Sequence, residues 1–144
     1  MPAVMESTQL AQLSKFRRLL HVKLKFPLFF SNRDYVASAV GNVDEKRKAV
    51  LFTLKGINSG EYFGYQIPTA GKFVRLELNV ACLGLEYIDD NTCRFRSLIN
   101  VNPKLPIVPM VLINWGTKKV IFEFLKILSK KSTELEAEYK ERIK

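Results

Sequence analysis

Between Phe16 and Val101 several runs carry apolar residues at every second position, and from Pro109 they recur every third or fourth. That change of period constrains the fold more than any other feature of the chain, because period 2 belongs to strands and period 3.6 to helices. His21-Val22-Lys23-Leu24-Lys25-Phe26 alternates strictly, and Pro27 closes the run. Asp34 to Val40 predicts a second strand, Asn42-Val43-Asp44-Glu45 a turn and Lys48 to Leu54 a third strand. Gly56 to Lys72 carries four glycines and Pro68, so it is expected as a long loop. Phe73 to Ile88 predicts a long strand, Asp89-Asp90-Asn91 a tight turn and Thr92 to Val101 the last strand. Strands joined in series by short turns form an antiparallel meander. The fold class is therefore α+β.

The helical segment runs from Pro109 to Lys131, with Pro109 suited to a first turn. Lys119, Glu123, Lys126 and Lys130 fall on one stripe. Met110, Ile113, Thr117, Ile121, Phe124 and Leu128 fall opposite. Val111, Leu112, Trp115, Phe122 and Leu125 widen the apolar arc beyond one sheet contact, so further protein or lipid is expected against them. In the charged tail, 132–144, Thr133-x-x-Glu136 either restarts a helix as a capping box or is passed by a helix that continues. Residues 1–15 follow neither period and predict a short helix or a frayed arm.

The chemistry of catalysis is absent. His21 is the one histidine and has no Ser, Cys or carboxylate at motif spacing, so it is expected as a strand residue. There is no P-loop, GxGxxG, CxxC or HExxH pattern, and Cys82 and Cys93 with one histidine fall short of a structural zinc site. No enzyme and no cofactor is expected. Both cysteines lie in strand-like runs and are expected as small apolar residues; they come near each other only if their strands pair. No secretory signal stands at the N-terminus, and Ile107 to Trp115 is too short to span a bilayer, so a cytoplasmic chain is expected. The formal net charge of +9 fits an anionic membrane, nucleic acid or a plain solvated surface. Arg94-Phe95-Arg96 is the one interleaving of aromatic and basic residues, and it is better explained as a strand with Phe95 turned inward. Nucleic acid is the weaker reading.

A family resemblance rests on four runs in order. Lys25-Phe26-Pro27-Leu28-Phe29-Phe30-Ser31-Asn32-Arg33-Asp34-Tyr35-Val36 resembles the signature of START (steroidogenic acute regulatory protein-related lipid transfer) domains. Phe73-Val74-Arg75-Leu76-Glu77, Ile99-Asn100-Val101-Asn102-Pro103-Lys104 and Val108-Pro109-Met110-Val111-Leu112-Ile113-Asn114-Trp115 with Lys118-Lys119 resemble three later runs of the family. The resemblance covers 16–131. It implies a helix-grip fold, like Bet v 1: a curved antiparallel sheet with the long C-terminal helix as a lid. The first part of that fold has no counterpart before Phe16. The resemblance also implies one bound lipid, carried or sensed at membranes. Ala39 stands where sterol-binding members carry a buried arginine, which points to a phospholipid or other acyl lipid. Asn102 and Leu105 replace the Asp and Gly that precede the family's lid.

Strand parity then assigns the lining. Tyr35, Ala37 and Ala39 share a face, as do Val50, Phe52 and Leu54; Leu76, Leu78, Val80 and Cys82; and Phe95, Ser97, Ile99 and Val101. Met110, Ile113, Thr117, Ile121, Phe124 and Leu128 complete it from the lid. Arg33, Asp34 and Arg75 carry the motif, with a structural role expected. Lys118, Lys119, Lys126, Lys130 and Lys131 are expected to dock on anionic lipid, after which the lid and the Gly56–Lys72 loop part. The competing expectation is an interaction module that holds no lipid and binds a partner protein or a second copy.

Overall fold

The computed structural model describes the backbone of residues 3–26, 30–58, 60–105 and 110–142, and within the helix the side chains of 114, 118, 121, 122, 125–136, 138 and 139. The chain forms two units, a sheet unit of Ala3–Leu105 and a second unit holding Pro106–Lys144.

The sheet unit is built from β1 (Ala3–Ser14), β2 (Arg17–Lys25), β3 (Arg33–Asp44), β4 (Ala49–Gly56), β8 (Glu77–Asp89) and β9 (Thr92–Asn102), hydrogen-bonded antiparallel in that order. Three short strands accompany them. β5 (Glu61–Tyr62) and β6 (Tyr65–Gln66) make a small hairpin, and β7 (Val74–Arg75) lies parallel to the start of β3. The meander is the one the period-2 pattern predicts, but the turn expected at Asn42-Val43-Asp44-Glu45 falls at 45–48, because β3 runs on and pairs Asn42, Val43 and Asp44 with Leu51, Val50 and Ala49. The loop after Gly56 is more structured than expected, since it holds β5 and β6.

Residues 3–14 are a strand, which corrects the short helix or frayed arm expected there. The reason lies in the pairing with β2. Its register slips at Val4/Glu6, Gln9/Ala11 and Gln12/Ser14. Each bulge shifts the alternation by one residue, so Leu10, Ala11 and Leu13 all reach the core without showing period 2.

Directly opposed residues of antiparallel strands share a face. The register Leu19↔Ser38, Val40↔Thr53 and Thr53↔Cys82 traces one face, and Leu20↔Ala37, Ala39↔Leu54 and Leu54↔Ala81 trace the other. The core cluster lies on the Leu19 face, where Ala11, Leu19 and Val36 pack with Ile67, Ile57 and Tyr62 from the loop. The loop thus folds back over that face. The close approach of strands explains one glycine. A Cβ on Gly56 would stand 2.3 Å from the Leu78 carbonyl oxygen, a contact no side chain can make.

In the second unit, α1 is one helix of 33 residues, Met110–Arg142. It passes through Thr133, whose hydroxyl donates to the Ser129 carbonyl at 3.2 Å within the helix. The helix therefore continues eleven residues past the expected end at Lys131, and no capping box forms.

Candidate functional site

The second face of the sheet is the candidate. β2 presents Leu20, Val22 and Leu24 there; β3 Tyr35, Ala37 and Ala39; β4 Val50, Phe52 and Leu54; β8 Ala81, Leu83 and Leu85; and β9 Phe95, Ser97 and Ile99. Five neighbouring strands place almost nothing but apolar and small side chains on it. Charge appears only at the two ends, as Arg18 and Arg33. The opposite face carries His21, Lys23, Asp34, Lys55, Glu86, Arg94 and Arg96. Val22, Ala37 and Ala81 are buried, whereas Phe52 is 43% and Ile99 60% exposed. Phe52 lies over Gly41, directly opposite, at a distance that leaves 3.4 Å to a Cβ built there. Burial pushes the Tyr35 phenol pKa up.

In β3, β4 and β9 the register puts on one face the residues that parity groups together. In β8 parity needs correction. Cys82 pairs with Thr53 and Leu98 and Val80 with Asn100, so both stand on the charged face, and Ala81, Leu83 and Leu85 take the apolar one. The cause is a bulge between Leu78 and Val80. It brings Leu78 back opposite Val101 on the apolar side, and parity counted from Leu78 is wrong beyond it. Leu76, between β7 and β8, is buried at 4%. The cysteines sit on adjacent strands, but Cys82 faces Leu98 and Cys93 faces Tyr87, and both thiols are free. On the helix, Ile121 is exposed and Leu128 half-buried, while the side chains of Met110, Ile113, Thr117, Lys119 and Phe124 lie outside the described residues. Lys118, Lys126, Lys130 and Lys131 are exposed, and the last two both reach Glu134, at 3.9 and 2.6 Å. Two surface depressions of about 430 and 440 Å³ occur at the turn end of the sheet, and of the expected lining residues Val50 alone borders one of them.

Arg33 and Asp34 point to opposite faces, and each fastens a connecting segment. Asp34 is fully buried. Its carboxylate accepts from Arg75 Nε at 2.9 Å and Nη2 at 2.8 Å, and it bonds His21 Nε2 at 2.9 Å. Burial alone would raise its pKa. The hydrogen bonds and charges of Arg75 and His21 outweigh that, and the carboxyl is held below its ordinary value. Arg75 also donates to the carbonyls of Asn58 at 3.0 Å and Pro68 at 2.7 Å, so it pins the long loop near both ends. Arg33, 2% exposed, donates to the carbonyls of Ser31, Pro103 and Lys104, and its guanidinium lies 4.8 Å from the Phe26 ring centre. It thereby fixes the turn that ends β9. In that turn Asn102 Oδ1 accepts the Lys104 N–H at 3.0 Å, and Lys104 adopts a left-handed φ of 49°. An asparagine can make this bond as well as an aspartate. His21 does have a carboxylate partner, contrary to the expectation from spacing. It stands directly opposite Val36, which places Asp34 on the diagonal, a relation set by strand register and invisible in linear spacing.

With this geometry in place, comparison with solved structures is decisive for the fold. The chain is similar to human STARD10, at 16% identity and a TM-score of 0.70 over 85% of this chain and 47% of that one. The fold is that of part of a START domain. It is also similar to the human StarD13 (DLC2) lipid transfer and protein localization domain, at 12% identity and a TM-score of 0.60 over 72% of this chain and 50% of that one. The chain thus spans about half the length of these START structures. No protein-family profile matches it, nor does any curated protein match by sequence. Among the described residues no helix is long and apolar enough to cross a membrane, and no His, Cys, Asp and Glu cluster could hold a metal ion.

Proposed function

We propose that the apolar sheet face holds a single acyl lipid, which the protein carries or senses at membranes without enzymatic chemistry. One observation carries this reading: five adjacent strands present a face free of charge between Arg18 and Arg33, while the opposite face is charged and takes the loop over Ala11, Leu19 and Val36. Burial of that face against an acyl chain contributes about 25 cal/mol per Å². Ala37, Ala39 and Ser97 leave room that a packed core fills. The lysines Lys118, Lys119, Lys126, Lys130 and Lys131 supply docking to anionic headgroups, at about 1 kcal/mol for each lysine near the surface. Arg75 ties the long loop at Asn58 and Pro68, so any opening of that loop is confined to the β5–β6 hairpin between them.

Native mass spectrometry of the purified protein tests the reading. The expected result is a protein peak carrying one added lipid mass, released on collisional activation. Protein that is empty, and stays empty after incubation with mixed phospholipid vesicles, overturns it. A second reading has its own support. Phe122, Leu125, Ile127, Leu135 and Tyr139 of the helix are 44–66% exposed, as a helix that binds a partner protein requires.

A further inference from the structure

Two turns put aromatic rings into solvent at one end of the sheet, the end away from Ala3 and Asn102. The first joins β1 to β2. Phe16 is 55% exposed there, although its backbone is fixed: its N–H donates to Ser14 Oγ at 3.3 Å, and its carbonyl accepts the Gly41 N–H at 2.9 Å. The second is the β5–β6 hairpin. Tyr62 pairs with Tyr65, which leaves a two-residue turn, Phe63-Gly64, with φ of 50° and 80°. A turn with both central residues left-handed favours Asn-Gly, because a bulky side chain at positive φ crowds its own backbone. Here the first position is a phenylalanine, and it is 63% exposed. Its ring meets Tyr62 edge-on at 4.8 Å and the Arg17 guanidinium at 5.6 Å. A strained, exposed aromatic where local chemistry asks for a small polar residue points to a use outside the fold.

The two turns form one patch. Arg17 reaches the hairpin tip, and Leu13, Ser14, Arg17, Phe63 and Tyr65 border the same depression. Lys15, Arg17 and Arg18 supply positive charge, with the Lys15 ammonium 5.3 Å from the Phe16 ring centre. Among the described residues none of these three meets a carboxylate. Glu61, the one acidic residue of the hairpin, accepts from the Gln66 amide at 3.1 Å. Aromatic rings settle at the boundary between lipid headgroups and acyl chains, and basic side chains beside them pair with anionic headgroups. Single-stranded nucleic acid also takes aromatics and cations, but it needs a basic groove that tracks its backbone. The depression here is bordered by one cation, Arg17.

We propose that these two turns are a membrane-contact tip of the sheet unit. Phe16 and Phe63 enter the interface of an anionic bilayer, and Lys15, Arg17 and Arg18 hold its headgroups. The proposal rests on the reading that the protein works at membranes, and it adds a contact separate from the helix lysines.

Co-sedimentation of the full chain with vesicles of phosphatidylcholine and phosphatidylserine tests it, with Phe63→Asn and Phe16→Ser as variants. Asparagine suits the left-handed turn position, so Phe63→Asn should leave the urea midpoint unchanged or raise it. It should still weaken vesicle binding about tenfold, as should Phe16→Ser. Lipid occupancy by native mass spectrometry should match wild type in both variants, which separates this contact from the apolar face. Variants that sediment like the wild type overturn the proposal. So does a Phe63→Asn chain that unfolds at lower urea, since the ring is then a structural part of the hairpin. Wild-type protein that does not sediment overturns it too, and lipid found on that protein leaves the pocket reading standing. Variants that lose binding to a single-stranded oligonucleotide and keep vesicle binding also overturn it, and assign the patch to nucleic acid.

Discussion

At the scale of single residues, the structure turns on one carboxylate. Asp34 is at 0% exposure with Arg75 and His21 both on it, and through Arg75 it holds the loop. Breaking a buried pair by neutralising one partner leaves a buried charge uncompensated, at about 3–5 kcal/mol. Asp34→Asn should therefore lose about that much stability in urea unfolding, far more than a typical strand substitution. The pH dependence follows from the sign of the shift. The folded carboxyl titrates below its unfolded value of about 3.9. Its contribution is thus fully present above that pH and is lost as pH falls through the lower, folded value. The stability gap between wild type and Asp34→Asn should be open at about pH 5 and close below about pH 4. A gap that stays open in acid means that the substitution acts through packing. The Arg-Asp dipeptide stood out in the sequence, but its division of labour did not. Adjacent strand residues point to opposite faces, so Arg33 and Asp34 serve different segments, and apart from Ser31 their partners lie 13 to 71 residues away.

At the scale of elements, legibility follows the regularity of the pattern. β3, β4 and β9 alternate without interruption between well-marked turns, and their apolar faces could be assigned from parity alone. β1 and β8 contain bulges, and there parity failed: it hid β1 altogether and put Val80 and Cys82 on the wrong side. The helix shows a second kind of limit. Its start and its stripe were visible, but its end was not, because 132–142 is a run of good helix formers with no stop signal. That continuation has an electrostatic consequence. Between 110 and 131 the helix carries five lysines against Glu123, whereas 132–144 carries four acidic residues against three basic ones. Glu134 belongs to the second group and reaches back to Lys130 and Lys131. If these lysines dock on anionic lipid, Glu134 partly neutralises the site. Glu134→Gln should then strengthen co-sedimentation with anionic vesicles several-fold, on a scale of about 1 kcal/mol per freed lysine. Equal binding by the variant and wild type would remove Lys130 and Lys131 from the docking surface.

At the scale of the whole molecule, two forces of different range are combined. The net charge of +9 acts over the distance that salt allows, about 30 Å at 0.01 M and about 3 Å at 1 M. It is spread over the chain, with fifteen basic against nine acidic residues in the first 105 positions and eight against five after them. Burial of an acyl chain on the apolar face acts only at contact, and salt screens it hardly at all. The proposed function uses the first to reach a membrane and the second to hold cargo, so salt should separate them. Raising salt from about 0.05 M to about 0.5 M should release the protein from anionic vesicles, as screened charges let go. The fraction of protein that carries lipid, measured by native mass spectrometry after exchange from the same two buffers, should not change. Loss of lipid in parallel with vesicle release would place the ligand's binding energy in its headgroup and the surface lysines, and the apolar face would then have some other occupant.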